Sequence, residues 1–304
     1  MLVLFLFVAL LACGQATHFI TKVNETVHHN VILQNNEPWN PEMYAKKIIL
    51  RNLTGAITSQ SFSLLTEVEE IYFAYSSIEA VLDDAFKYNT KLKILQFSYN
   101  THLPVITNEM LKSCKHLSKF IMGHNKKVDG ISKNLFSNLL NLTHIEVTKQ
   151  REIPNILTEN FFRNSRSLKS IKIHFSNVTV VDSGAFEDLY QLEFLSLVEN
   201  EIVDIGVGAF KSPKLVDVYL GWNKLTSFSG EELSHLRRLR NLDISFNPLK
   251  VIDLIGIRRS APNLSVLSLV KTSLSCDEKK SIKMQESSDF QIRMDLMEIE
   301  KCEA

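Results

Sequence analysis

The chain has 304 residues, and its 34 lysines and arginines balance 34 aspartates and glutamates to a formal net charge of zero. Neither sign forms a long block, so the electrostatic footprint of a binder of nucleic acid or of an anionic membrane is missing. The sequence has no G-x-S-x-G elbow, no phosphate-cradling glycine loop and no H-E-x-x-H pair, and its ten glycines leave little for a phosphate site, so neither an enzyme nor a cofactor is expected.

Met1 to Leu11 is a nearly continuous apolar run, followed by Ala12-Cys13-Gly14-Gln15-Ala16. This predicts a secretory signal peptide over residues 1–16, too short for a comfortable membrane span. No other window supplies the roughly 18 apolar residues a membrane-crossing helix needs, so the expectation is a secreted, extracellular protein. Five N-x-S/T triplets suit that route, with candidate glycosylation at Asn24, Asn52, Asn141, Asn177 and Asn263. Residues 17–44 read as an N-terminal cap that alternates around Val27, Val31 and Leu33 and breaks at Glu37-Pro38-Trp39-Asn40-Pro41. An extra strand there would cover an otherwise open strand edge at the start of the segment beyond residue 44. His28 and His29 lack a third ligand at metal spacing and are read as solvent-exposed histidines.

From residue 45 the chain repeats itself. Leu192, Leu195, Leu197, Asn200, Ile202 and Ile205 recur as Leu215, Val218, Leu220, Asn223, Leu225 and Phe228. Ten such units start at Ala45, Val68, Leu92, Leu117, Leu142, Leu168, Leu192, Leu215, Leu239 and Leu264, 23 to 26 residues apart. Each L-x-L core must alternate inward and outward as a short strand, and successive units stack these strands into a parallel sheet. A polar column comes after the strands: Ser76, Asn100, Asn125, Gln150, Ser176, Asn200, Asn223, Asn247 and Thr272. A short amide at this turn can bond both the N–H and the C=O groups that the turn buries. On the opposite wall Phe62, Phe86, Leu111, Phe136, Phe162, Phe186 and Phe210 form a packing column. Arg237, Arg238, Arg240, Arg258 and Arg259, the densest basic cluster, read as a solvated edge.

The pattern L-x-x-L-x-L-x-x-N-x-L, running from Ala45 to Leu274 with a Phe on the return stroke, resembles the extracellular, typical-length class of leucine-rich-repeat proteins. The short form with five sequons, a cysteine-poor front cap and a cysteine pair at the end is similar to the secreted leucine-rich immune proteins of insects. The resemblance implies a right-handed α/β solenoid, a horseshoe of about ten coils with a parallel concave sheet, over residues 45–274. It also implies an extracellular protein ligand, complement-like or another leucine-rich-repeat protein. The leading expectation is a secreted, non-enzymatic recognition module of innate immunity. Alternatives are an adhesion or matrix component that self-associates, and a secreted decoy or inhibitor. Exposed rings on a rigid sheet make good anchors because few rotors are lost on contact. The expected partner-binding residues are therefore Tyr72, Tyr75, Tyr99, His124, Phe175, Tyr219, Trp222 and Phe246, with Tyr72, Tyr75 and Tyr99 in one cluster and Tyr219, Trp222 and Phe246 in another.

Residues 275–304 read as a C-terminal cap. In an oxidising compartment Cys276 and Cys302 most simply pair over the last coil. Phe290, Ile292, Met294 and Leu296 suit either a helix opening at Ser287 or a strand of period two, and the sequence leaves both open. Cys114 stands where other units carry Leu65, Leu139, Leu189 and Leu236, so it is expected to fill a buried apolar slot rather than bridge to a partner.

Overall fold

A computed structural model describes residues 17–22, 25–34, 37–39, 45–233 and 236–295. The signal-peptide reading, Asn24 and Cys302 lie outside them. The chain divides into two compact units, Met1–Ser132 and Lys133–Ala304.

In the first unit β1 (Thr17–Lys22) and β2 (Glu25–His29) form an antiparallel pair. From β2 onward the strands run parallel: β3 (Lys47–Arg51), β4 (Glu70–Ala74), β5 (Ile94–Ser98) and β6 (Lys119–Gly123). Core positions fall opposite core positions, Leu50 on Phe73 and Phe73 on Phe97. Any slip by one residue would turn the apolar set out to water. The second unit repeats the arrangement in β7 (His144–Thr148), β8 (Ser170–His174), β9 (Phe194–Ser196), β10 (Asp217–Tyr219), β11 (Asn241–Asp243), β12 (Val266–Ser268) and β13 (Gln291–Arg293). All ten expected unit starts are buried, and each of the ten units contributes its strand, β3 to β12.

The polar column is a ladder of bonds between coils. Asn200 donates from Nδ2 to the Ile173 carbonyl at 2.7 Å while its Oδ1 accepts from Ser176 N at 2.9 Å. Asn125 does the same for Phe97 O and Asn100 N, both at 3.0 Å. On the far wall the phenylalanines stack, Phe62 on Phe86 at 6.2 Å and Phe136 on Phe162 at 6.1 Å, with interplanar angles of 7° and 9°.

Two features at the ends differ from the sequence reading. In β2 the inward residues are Thr26 and His28, not Val27. His28 is only 2% exposed, its ring hydrogen-bonded to Thr26 Oγ1 at 2.9 Å and set edge-on to Trp39 at 4.7 Å. His28 is therefore a core residue, because β2 pairs in register with β3 and puts it opposite Leu50. The cap is a degenerate coil in which a satisfied Thr–His pair replaces two leucines, and Trp39 continues the ring column onto Phe62 at 6.1 Å. At the other end the alternative left open is settled as a strand: β13 buries Ile292 after Phe290, behind a helix Cys276–Lys283 capped by Ser275 and Glu278.

Candidate functional site

The outward residue just before the polar column has a left-handed backbone in every coil. Tyr75, Tyr99, His124, Lys149, Phe175, Glu199, Trp222, Phe246 and Lys271 all have φ between 52° and 59°. The chain must leave the strand sharply while its next N–H still reaches the neighbouring coil: Trp222 N donates to Ser245 O at 3.0 Å, and Tyr99 N to Gly123 O at 3.0 Å. Bulky residues sit in this region at a cost of about 1–3 kcal/mol each, and glycine or asparagine would be the cheaper occupant.

In the first unit this column makes a continuous stack. Tyr75 lies on Tyr99 at 5.9 Å, and Tyr99 on His124 at 4.8 Å and 15°. Tyr75 and Tyr99 are each about half exposed, at 53% and 50%. Tyr72 shares the sheet face but not the stack: its hydroxyl donates to Glu70 Oε2 at 2.8 Å and the Lys47 ammonium covers its ring at 5.1 Å. Burial and then the Glu70 bond raise its phenol well above the usual range. His124, not Tyr72, is the third member of this cluster.

In the second unit Trp222 and Phe246 stack at 4.0 Å and 7°, with Trp222 54% exposed. Beside them a cavity of about 370 Å³ is lined by Trp222, Phe246, Pro248 and Lys271, the last ion-paired with Asp295 at 2.5 Å. Tyr219 turns away and packs on Phe194 at 5.4 Å. Burial and the nearby carboxylates of Asp217 and Asp243 raise its phenol. Phe194 stands one residue before the first strand leucine, in a third outward column that the repeat pattern does not mark. His174, also on this face, shares a 2.7 Å hydrogen bond with Ser196 Oγ, and burial and Lys172 lower its imidazole below the usual range. Phe175 stands apart, 41% exposed and covered on one side by the Lys149 ammonium at 5.3 Å.

Of the sequons, Asn52, Asn141 and Asn263 are exposed and Asn177 is half-buried. Cys114 is a free thiol, 4% exposed, and sits in the apolar slot expected of it. Cys276 is disulfide-bonded. Among the basic residues, Arg258 lies over the Phe290 ring of the cap at 4.3 Å and donates to Leu264 O, whereas Arg240 stays exposed and donates to Asn263 O of the next coil at 3.0 Å. Among the described residues no three metal-ligating side chains come together, and no helix is long and apolar enough to cross a membrane.

Residues 42–156 match the family model of the BspA-type leucine-rich repeat region, and residues 191–249 match a second leucine-rich-repeat model. The chain is 26% identical over 247 residues to Toll-like receptor 3 of Bos taurus, covering 74% of this chain and 26% of the receptor. It is 26% identical over 220 residues to human lumican, covering 71% and 60%. It thus spans less than two thirds of either. Among solved structures it resembles the Toll–Spatzle complex of Drosophila, with a TM-score of 0.68 at 22% identity over 81% of this chain and 33% of that one. It also resembles the mouse RP105/MD-1 complex, with a TM-score of 0.66 at 18% identity over 82% and 43%.

Proposed function

The chain is a leucine-rich-repeat protein of the extracellular type, and we propose that it is a secreted, non-enzymatic recognition module of innate immunity that holds a protein partner on the open face of its sheet. One observation carries this reading. At positions where the backbone favours Gly or Asn, the chain instead places stacked rings: Tyr75, Tyr99 and Trp222 stay about half exposed, and Phe246 is half-buried against Trp222. Such rings strain the turn and leave up to about half of their area open, so part of their return comes from something that covers them. The immune assignment is supported by a receptor relative and by a complex whose description names innate immunity. Entry to the secretory route, the sequons and a Cys276–Cys302 link complete the reading.

The test is capture of partners from extracellular fluid by the purified glycoprotein, then affinity measurement on the variants Tyr99→Ala, Trp222→Ala and, as an equally exposed ring outside the left-handed column, Tyr190→Ala. Tyr99→Ala or Trp222→Ala should weaken the principal partner by about 30-fold, the loss typical of an anchor residue, while Tyr190→Ala leaves it unchanged. A partner indifferent to both sheet-face variants would sink the proposal.

A further inference from the structure

Phe175 is the odd ring of the left-handed column in the second unit: no other ring stacks on it among the described residues, yet it stays 41% exposed. Two residues on, Asn177 begins the triplet Asn177-Val178-Thr179 and is itself left-handed, with φ of 58°. Phe175 and Asn177 line one cavity of about 330 Å³ together with Lys149, Arg151, Glu199 and Glu201. That is at the small end of ligand pockets and suits one sugar ring with its substituents.

The other described sequons lack this arrangement. The Asn52 amide donates to Asn30 Oδ1 at 3.2 Å, and the Asn263 amide is bound to Arg237 O at 2.7 Å. Asn141 also has a partner. The Asn177 amide has no protein partner among the described residues, although its triplet's Thr179 is anchored to Asn155 O at 3.1 Å. The Asn177 amide is thus half-buried beside a ring that Lys149 covers on one side only, in a cavity lined by donors and acceptors, which suits a group covalently attached to that nitrogen.

We propose that Asn177 carries an N-linked glycan whose first N-acetylglucosamine sits in this cavity against Phe175. This rests on the secretory reading above, which supplies the lipid-pyrophosphate-linked oligosaccharide donor. Transfer forms a bond from Asn177 Nδ2 to the anomeric carbon, breaks that carbon's bond to the donor pyrophosphate and releases one amide proton. The C–H face of the sugar lies on the ring, as weak C–H contacts with an aromatic face favour. Lys149 and Arg151 donate to its hydroxyl and acetamide oxygens, and Glu199 accepts from its hydroxyls. Glu201 is ion-paired with Lys224 and closes the cavity's edge. The glycan thereby takes Phe175 out of the partner-binding surface and braces the coil that carries Ser176 in place of Asn.

The experiment uses the full chain secreted from eukaryotic cells. Glycopeptide mass spectrometry should find Asn177 modified. Glycans are then trimmed to a single sugar, and melting temperatures are compared with Asn177→Gln in three backgrounds: Phe175, Phe175→Leu and Phe175→Ala. With Phe175 present, loss of the sugar should lower the melting temperature by about 2–4 °C, and by under about 1 °C in the Leu and Ala backgrounds. Each background is its own reference, and Phe175→Leu keeps apolar bulk if the alanine variant folds poorly. An equal shift in all three backgrounds overturns the seat. Modification at Asn52 or Asn141 but not Asn177 overturns the proposal alone, whereas a chain modified nowhere overturns the secretory reading and the proposal with it.

Discussion

Asn223 shows how one side chain joins two coils. Its Nδ2 donates to Leu197 O and Leu220 O, both at 2.9 Å, and its Oδ1 accepts from Ile202 N at 3.0 Å. The two carbonyls keep a second donor, Asn200 for Leu197 and Asn247 for Leu220, so Asn223→Ala orphans chiefly the buried Ile202 N–H. A loss of about 2–3 kcal/mol is expected in urea unfolding. Asn223→Asp keeps the shape but aims a carboxylate at two carbonyls, and it should be at least as damaging. An aspartate variant more stable than the alanine one would show that the donors do not matter. Cys114 makes a residue-scale prediction of another kind. Burial pushes its thiol up to about 12, far above an ordinary cysteine near 8.5. The fold therefore favours the neutral thiol. Its contribution to stability is complete below about pH 8.5 and is lost as pH rises from there toward 12. A thiol reagent at pH 8 should titrate Cys114 only after denaturation, and Cys114→Ala should flatten the alkaline fall in stability. Rapid labelling of the native protein would contradict this.

Between elements, spacing is enforced by backbone as much as by leucine. A Cβ built on Gly230 would overlap the carbonyl of Gly256 in the next coil, a neighbour that cannot swing aside. Gly230→Ala should cost about 3 kcal/mol, as overpacking of a rigid contact does. Gly130→Ala would meet only the Val105 methyls, at 3.7–3.8 Å, and should stay within about 1 kcal/mol of the parent in the same assay. Similar costs for both would mean that the close approach at Gly230 relaxes freely. Core positions such as Leu195 and Phe186 were legible in the sequence because burial recurs at a fixed interval and any departure is costly. The left-handed turn was not legible, because its usual signal, Gly or Asn, is replaced by Tyr, His, Phe, Glu, Trp or Lys. Membership of the ring clusters was hidden for a related reason. Tyr72 and Tyr219 lie on the expected face, but their orientation is set by Glu70, Lys47 and Phe194, neighbours that appear only when strands are laid side by side. His28 reads as exposed in the sequence but is buried, because a Thr–His bond makes polar residues acceptable in a slot otherwise held by aliphatics.

At the scale of the molecule, a chain of stacked coils has no single core, and its stability is a sum of each coil's own contribution and of contacts with its neighbours. Local opening should therefore depend on the quality of the polar ladder. Within the second unit the ladder is uneven. Asn200, Asn223 and Asn247 each make several bonds of 2.7 to 3.3 Å to adjacent backbone. Toward the amino end of that unit, Gln150 N reaches Ser176 Oγ at the long distance of 3.4 Å, and the Gln150 amide bonds back to Lys149 O of its own turn. Amide hydrogen exchange should accordingly be slowest at Ile202 and Leu225, whose N–H groups are held by Asn223 and Asn247, and markedly faster at Gln150. Ser176→Asn would restore a full amide at the weak rung and should slow exchange at Gln150 by about tenfold, if the new bond is worth the usual 1 to 1.5 kcal/mol. Uniform exchange across these amides, or no response to Ser176→Asn, would mean that packing of the leucine and phenylalanine columns alone sets local stability and that the ladder only fixes the turn.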